Sequence, residues 1–351
     1  MRCQFIGSSA KSIHLSNFCI SSAFEDNGLV NYTASRPAKF RKAVFLCCDH
    51  DFSKFAAFLI QQIAEKHPTA DFDICLCSED KIELPASLAQ LPVRLCQIRI
   101  QDTIAQAPVS ERINAASYLR LLLPSAFAAD YDRILYLDAD IFLIGGDLSR
   151  LLEVELLAGH PIAAVRTSHQ RNKMRRLMPE FKKLRMTPAP YFNAGVLLID
   201  VPRWEGTETL SRALKVISDH PDALVMHDQS VLNLVFRGRW SELSVVWNWM
   251  YSGRFSYMIE ACDPFLIHFA GRMKPWNTLT GEFPPKYPNA YRDFFLQHYP
   301  EAAAQMPVPK SIFAAPKFHK KSLLKQWYDF NRFMPYMTRF DDPYCAVDPD
   351  V

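Results

Sequence analysis

The sequence predicts an α/β protein with a mostly parallel sheet and helices on both faces. Two observations predict it. Apolar runs of about five residues recur along the chain, and amphipathic stretches of ten or more residues separate them. Short buried runs that alternate with helices are the pattern of strands covered on both sides.

Taken in order, Lys42–Cys48 (KAVFLCC) is too short for a helix and ends in Asp49-His50-Asp51. Ser53 is placed to cap an amphipathic helix, SKFAAFLIQQIAEKH, that Pro68 stops. Phe72, Ile74 and Leu76 alternate as in a second strand, and Val93–Ile98 forms a third. Ala115–Leu123 is helical until Pro124. Arg133–Leu137 is a strand that runs into Asp138-Ala139-Asp140. Pro161–Val165 and Phe192–Asp200 follow as strands, Glu208–Ser218 and Asp228–Phe236 as helices, and Phe265–Phe269 as the last core strand.

Composition narrows the functional classes. The chain has 351 residues, 49% hydrophobic and 22% charged, as in ordinary globular proteins. With 40 basic and 37 acidic residues the net charge is +3, too little for wrapping nucleic acid. No apolar run approaches the roughly 18 residues of a membrane-spanning helix. The N-terminus lacks an apolar core of signal-peptide length, so a cytosolic protein is expected. Nine cysteines, an odd count without a CxxC pair, read as buried reduced thiols rather than disulfides or a zinc site. Residues 1–40 read as an N-terminal extension, 41–285 as the catalytic domain and 286–351 as a C-terminal tail.

The chemistry begins at the strand ends, since open α/β sheets bind ligands outside the carboxyl ends of their strands. Asp138 and Asp140, two apart on an extended chain, can present both carboxylates to one cation. Such oxygen ligands suit magnesium or manganese, particularly where phosphates complete the shell. Asn193 and Gly195 open an otherwise apolar strand, which on its own reads as a turn. Asp228 could be no more than a helix cap. His268 follows the last apolar strand, with Gly271 and Lys274 behind it. An imidazole in the shell favours manganese over magnesium.

The ordered set Asp49, Tyr118-Leu119-Arg120, Leu137-Asp138-Ala139-Asp140, Phe192-Asn193-Ala194-Gly195-Val196, His227-Asp228-Gln229 and His268-x-x-Gly271-x-x-Lys274-Pro275-Trp276 resembles glycosyltransferase family 8. The resemblance covers about residues 41–285. It implies a nucleotide-diphospho-sugar transferase (GT-A) fold and a retaining, metal-dependent transfer of galactose or glucose from a UDP-hexose. The implied acceptor is a sugar hydroxyl of lipopolysaccharide or lipooligosaccharide, with another glycan or a protein as the alternative.

Residue by residue, the resemblance implies that Asp138, Asp140 and His268 ligate manganese, with magnesium the alternative, and that Ala139 lies against the donor. Cys48, Asp49 and Asp51 would line the uridine pocket. Arg120, Asn193, Asp228 and Gln229 would surround the donor sugar, and Gly271 and Lys274 would close over the diphosphate. Asp51-Phe52 departs from the Asn-Tyr often found in the family, adding a negative charge beside the nucleotide. For the retaining step, front-face attack is preferred to a covalent intermediate on Asp228 or Gln229, and the sequence leaves both open.

Two basic segments remain. Arg166–Arg185 holds eight Lys and Arg against one acid, and reads either as a solvated face or as a lid over an anionic acceptor. Lys310–Arg339 holds seven against one, interleaved with aromatic residues. It reads as a segment drawn to an anionic membrane surface, or as a packed helix with a basic outer face. Outside the transferase reading, a nucleotidyltransferase or sugar-nucleotide hydrolase could use the same metal pair, and a decayed sugar-nucleotide-binding module would need no acceptor.

Overall fold

The computed structural model describes residues 31–99, 118–171, 176–252, 256–278, 283–307, 327–331 and 333–350. Among the described residues twelve strands run in chain order: β1 (Tyr32–Ala34), β2 (Lys42–Cys47), β3 (Asp73–Ser78), β4 (Val93–Ile98), β5 (Arg133–Leu137), β6 (Ile141–Leu143), β7 (Ile162–Arg166), β8 (Phe192–Asp200), β9 (Ser241–Leu243), β10 (Trp249–Met250), β11 (Leu266–His268) and β12 (Ala346–Val347). The longer described helices are α1 (Ser53–Lys66), α2 (Leu119–Ala126), α3 (Thr209–Asp219), α4 (Asp228–Val235) and α5 (Lys286–His298).

Nine strands form the main sheet in the order β1-β4-β3-β2-β5-β8-β7-β9-β12, and β10-β11-β6 form a small second sheet. β2, β3, β4 and β5 pair in parallel, whereas β8 runs antiparallel to both β5 and β7. The expected fold class holds, with a sheet more mixed than its apolar runs suggested. The strand expected at Phe265–Phe269 forms as β11, but in the small sheet rather than the main one.

Alternation along β2 explains the two cores. Val44 and Leu46 face the layer of α1 and α5, with Phe55, Phe58, Leu59 and Tyr291. Ala43, Phe45 and Cys47 face the layer of α2, α3 and α4, with Leu122, Trp204 and Val231. Each large apolar side chain removed from water contributes roughly 1.5–3 kcal/mol before chain entropy is set against it. Cys47, Cys75, Cys77 and Cys96 are buried free thiols, as expected.

Local details differ from expectation. Ser53 does not cap α1: Phe52 holds the N-cap position without a side-chain bond, while Ser53 Oγ donates to the His50 carbonyl. α2 continues through Pro124 to Ala126. The start expected for that helix, residues 115–117, lies outside the described residues, as do residues 1–30 of the N-terminal extension and 310–326 of the tail.

The C-terminal region is built into the domain. Phe294 and Phe295 of α5, then Phe333 and Tyr336, are buried in the same core cluster as α1, and β12 pairs with β9. Arg166 lies fully buried and forms two bonds with Glu242, of 2.8 and 2.7 Å. Glu242 also accepts from Tyr336 Oη (2.7 Å) and Arg339 Nη1 (3.0 Å). Arg166 is therefore neither solvated nor free to clamp an acceptor, and the same holds for buried Arg171, whose Nη2 donates to the Asn248 carbonyl. Arg176, Lys182, Lys183 and Arg185 do face solvent. Among the described residues no helix is long and apolar enough to cross a membrane.

Candidate active site

The topology gathers the candidate residues at one edge of the sheet. Because β8 is antiparallel to β5, its first residues lie beside the last residues of β5: Leu137 pairs with Val196, and the Asp138 N–H donates to the Gly195 carbonyl at 2.8 Å. On the other side the register with β7 jumps from Ala164↔Leu197 to Val165↔Asn193, so Ala194, Gly195 and Val196 bulge out of that ladder. Two of the amides this frees are taken by side chains. The Ala194 N–H donates to Gln229 Oε1 at 3.1 Å and the Gly195 N–H to Asn193 Oδ1 at 3.0 Å.

The small sheet supplies the imidazole. β11 lies antiparallel to β6 with His268 opposite Ile141, and the Phe269 N–H donates to the Asp140 carbonyl. Asp138, Asp140 and His268 thereby bring one ligand atom each to within 4.8 Å of one another. His268 Nε2 is 3.1 Å from Asp140 Oδ1 and 3.6 Å from Asp138 Oδ2. Asp140 Oδ1 is buried, facing His268 Nε2. Two carboxylates and an imidazole nitrogen around such an oxygen fit a divalent cation. Asp140's second oxygen, Oδ2, accepts from Lys274 Nζ, which also donates to the Phe269 carbonyl. Burial alone would raise the Asp140 carboxyl, but His268 and Lys274 outweigh it and hold it well below the usual range.

Arg120 ties Asp138 to Asp228. Its guanidinium is 2.9 Å from Asp138 Oδ1 and 2.9 Å from Asp228 Oδ2, and donates to the Ala194 carbonyl at 2.6 Å. It also lies over the Tyr136 ring, whose hydroxyl donates to Asp138 Oδ1 at 2.8 Å. Burial would discharge Arg120, yet Asp138 and Asp228 more than offset it. Asp228 is pushed up to about 6, first by burial, with Arg120 opposing and Asp138 adding. It is not a cap: His227 holds the N-cap position with a positive φ of 51°, and Asp228 enters α4 with its carboxylate on Arg120.

A chain of amides joins the two halves. Asn193 Nδ2 donates to Gln229 Oε1 at 3.0 Å, Asn248 Nδ2 donates to Asn193 Oδ1 at 2.8 Å, and Asn248 Oδ1 is 3.0 Å from His268 Nδ1. The sequence reading missed Asn248 and Tyr136. Asn248 carried a signal, being the only polar residue in the apolar run Val245–Met250.

The remaining candidates divide. Cys48 is buried beyond the end of β2, beside β3, where its N–H donates to the Cys77 carbonyl at 3.1 Å, and its thiol is pushed up by burial, with Cys47 and Asp49 adding. Asp49 Oδ1 accepts from the Phe52 N–H at 2.8 Å. Asp51 projects into solvent, its side chain 92% exposed, so the structure does not bring it into the cluster. Gly271 has a φ of 109°, a conformation that favours glycine, in the loop carrying Lys274. A groove of about 810 Å³ lined by Asp71, Arg150, Glu153 and Tyr344 lies at the opposite edge of the sheet and includes none of these residues.

Residues 43–280 match the description of glycosyl transferase family 8, well over half of the chain. The chain belongs to glycosyl transferase family 8. Among its relatives, the lipopolysaccharide 1,2-glucosyltransferase of Escherichia coli K12 is 27% identical over 261 residues, 71% of this chain and 73% of that protein. General stress protein A of Bacillus subtilis is 30% identical over 206 residues, 54% of this chain and 66% of its own length. Glycosyltransferase GlyF of Streptococcus pneumoniae is matched over 39% of its length. The galactosyltransferase LgtC, solved with donor and acceptor sugar analogues, superposes with a TM-score of 0.57 at 22% identity. That likeness covers 77% of this chain and 98% of LgtC, and shows the shared fold.

Proposed function

We propose that this family 8 chain transfers a hexose, galactose or glucose, from a UDP-sugar to a sugar hydroxyl, with retention of configuration. The observation that carries the reading is the convergence of Asp138, Asp140 and His268 from three separate strand ends, one ligand atom of each within 4.8 Å of the others. Those three side chains would hold manganese, with magnesium the alternative. When bound, the ion would stabilise the negative charge that grows on the departing UDP.

The chain's own residues do the rest. Lys274, whose ammonium sits at Asp140, is placed to add positive charge where a diphosphate would approach the ion. Gly271 lets that loop turn. Arg120 sits 2.9 Å from both Asp138 Oδ1 and Asp228 Oδ2 and fixes the direction of the two carboxylates. Asp228, Gln229 and Asn193 offer acceptors and donors suited to sugar hydroxyls, and Gln229 is held by two bonds through its oxygen. Asp228 spends its charge on Arg120 and Gln229 is neutral, so neither is a good covalent nucleophile. Front-face attack, with the leaving phosphate taking the acceptor's proton, suits the groups present. Cys48 and Asp49, beyond the end of β2, would lie towards the uridine, with Asp51 at the solvent rim.

For the acceptor we propose lipopolysaccharide or lipooligosaccharide, supported by the names of two relatives, the E. coli protein and the lipopolysaccharide 1,3-galactosyltransferase of Salmonella typhimurium. The exposed cations Arg176, Lys182, Lys183 and Arg185 would face its anionic groups. Contact with an anionic membrane surface, and a cytoplasmic place beside it, would rest on the tail before residue 333, where Trp327 is 68% exposed while Phe333 and Tyr336 belong to the core. The test is UDP release from UDP-galactose and UDP-glucose, with manganese or chelator, with and without lipooligosaccharide. Metal-dependent release stimulated by acceptor supports the reading; release that is equal in chelator ends its metal mechanism, and release from neither donor ends the transfer.

A further inference from the structure

We infer that Asn248 is a positioning residue that locks the His268 imidazole with its proton on Nδ1, leaving the Nε2 lone pair aimed at the Asp138/Asp140 carboxylates. The polarity of the hydrogen-bond chain leading to it is set by two backbone groups. A backbone N–H can only donate, so the side-chain atom that meets it must be an oxygen. The Ala194 N–H therefore requires Gln229 to present Oε1, at 3.1 Å. Asn193 must then turn its Nδ2 to that oxygen, at 3.0 Å, and its Oδ1 the other way. The Gly195 N–H independently demands an oxygen at that second position, at 3.0 Å.

Asn248 consequently meets Asn193 Oδ1 with its Nδ2, at 2.8 Å, and has only Oδ1 left for His268 Nδ1, at 3.0 Å. A carbonyl oxygen there selects the ring with hydrogen on Nδ1. Nε2 then faces Asp140 Oδ1 at 3.1 Å and Asp138 Oδ2 at 3.6 Å, three electron-rich atoms that a cation reconciles. No rotation of one amide alone satisfies both backbone groups, because flipping Asn193 or Gln229 sets N–H against N–H. The bulge in β8, which frees these two amides, thus reaches the metal position through three side chains.

The inference rests on the proposed metal site for its purpose, but the tautomer can be read without any metal. In protein labelled with ¹⁵N-histidine, His268 is assigned by its loss in His268→Gln, at a pH where the ring is neutral. The expected spectrum has Nδ1 protonated and Nε2 bare; a ring protonated on Nε2 overturns the inference. Titration with Mn²⁺, and with Co²⁺ for its absorption spectrum, gives the second readout. Asn248→Ala should weaken binding by roughly 10- to 100-fold. Asn248→Asp keeps an acceptor for Nδ1–H but sets its other oxygen against Asn193 Oδ1, so it should keep the tautomer while recovering only part of the affinity. Wild-type affinity in Asn248→Ala overturns the inference. A native protein that binds neither ion while keeping the Nδ1–H ring would instead overturn the metal reading alone.

Discussion

Gly195 and His268 are packed so closely that a β-carbon on the first would lie 2.3 Å from Cε1 of the second. The same carbon would be 2.7 Å from Asp138 Oδ2. The ring is only 3% exposed and cannot swing away cheaply. Gly195→Ala should therefore push His268 and Asp138 apart. We expect a loss of Mn²⁺ affinity of tenfold or more, and a stability loss of about 1–3 kcal/mol from overpacking. Isothermal titration and urea unfolding read the two effects; an alanine variant that binds Mn²⁺ as the parent does would refute the crowding argument.

Arg120 is the counter-charge of two carboxylates at once. Replacing it by leucine leaves Asp138 and Asp228 facing each other without it, and breaking a buried ion pair typically costs about 3–5 kcal/mol. Lysine should recover little, since one ammonium cannot copy a guanidinium that also bonds the Ala194 carbonyl. Denaturation midpoints of Arg120→Leu and Arg120→Lys measure this, and parental stability in the leucine variant would contradict it.

Asp228 gives the metal-free protein a pH signature. Its carboxyl is raised from 3.8 to about 6, chiefly by burial, so the folded state holds its proton more tightly than the unfolded chain does. The associated stability is complete below the ordinary value and disappears as pH rises through about 6. In chelator, wild-type stability relative to Asp228→Asn should fall by on the order of 2–3 kcal/mol between about pH 4 and pH 7. A difference that stays flat across that range would show that the shift is absent.

Glu242 ties the C-terminal segment to the sheet through Arg166, Tyr336 and Arg339. Glu242→Gln removes the charge while both cations stay, and should cost about 3–5 kcal/mol. It should also expose the last 20 or so residues to limited proteolysis before the rest of the domain. Truncation after residue 309 would remove Tyr336, Arg339 and β12 together, so a change in membrane association on truncation must be read beside the unfolding midpoint. Cleavage at parental rates in Glu242→Gln would count against the tether.

Much of the molecule was legible from pattern. Val93–Ile98, Arg133–Leu137 and Phe192–Asp200 form strands with the boundaries their apolar runs suggest. What pattern could not carry was direction. A run such as Phe192–Asp200, buried along nearly its whole length, reads the same whether it lies parallel or antiparallel. In a wholly parallel sheet Asn193 would begin its strand at the edge away from Asp138. The reversal of β8 is what brings them together. Arg166 was misread for a related reason: a basic residue in a basic stretch looks solvated until the buried Glu242, 76 positions later, is placed beside it. Asp51 was placed beside Asp49 by the family resemblance, but the turn before α1 sends it outward.

The pairing of β5 with β8 makes the scaffold and the reactive centre a single object. Sliding one strand past the other by a residue would swap the side chains along the nine positions of β8 between the two cores and shift Gly195 from its place beside Asp138. Evolution or an engineer wishing to retune this centre has little freedom there. Variation is affordable where chain ends rather than ladders hold the groups: the turn after β2, and the loop carrying Gly271 and Lys274.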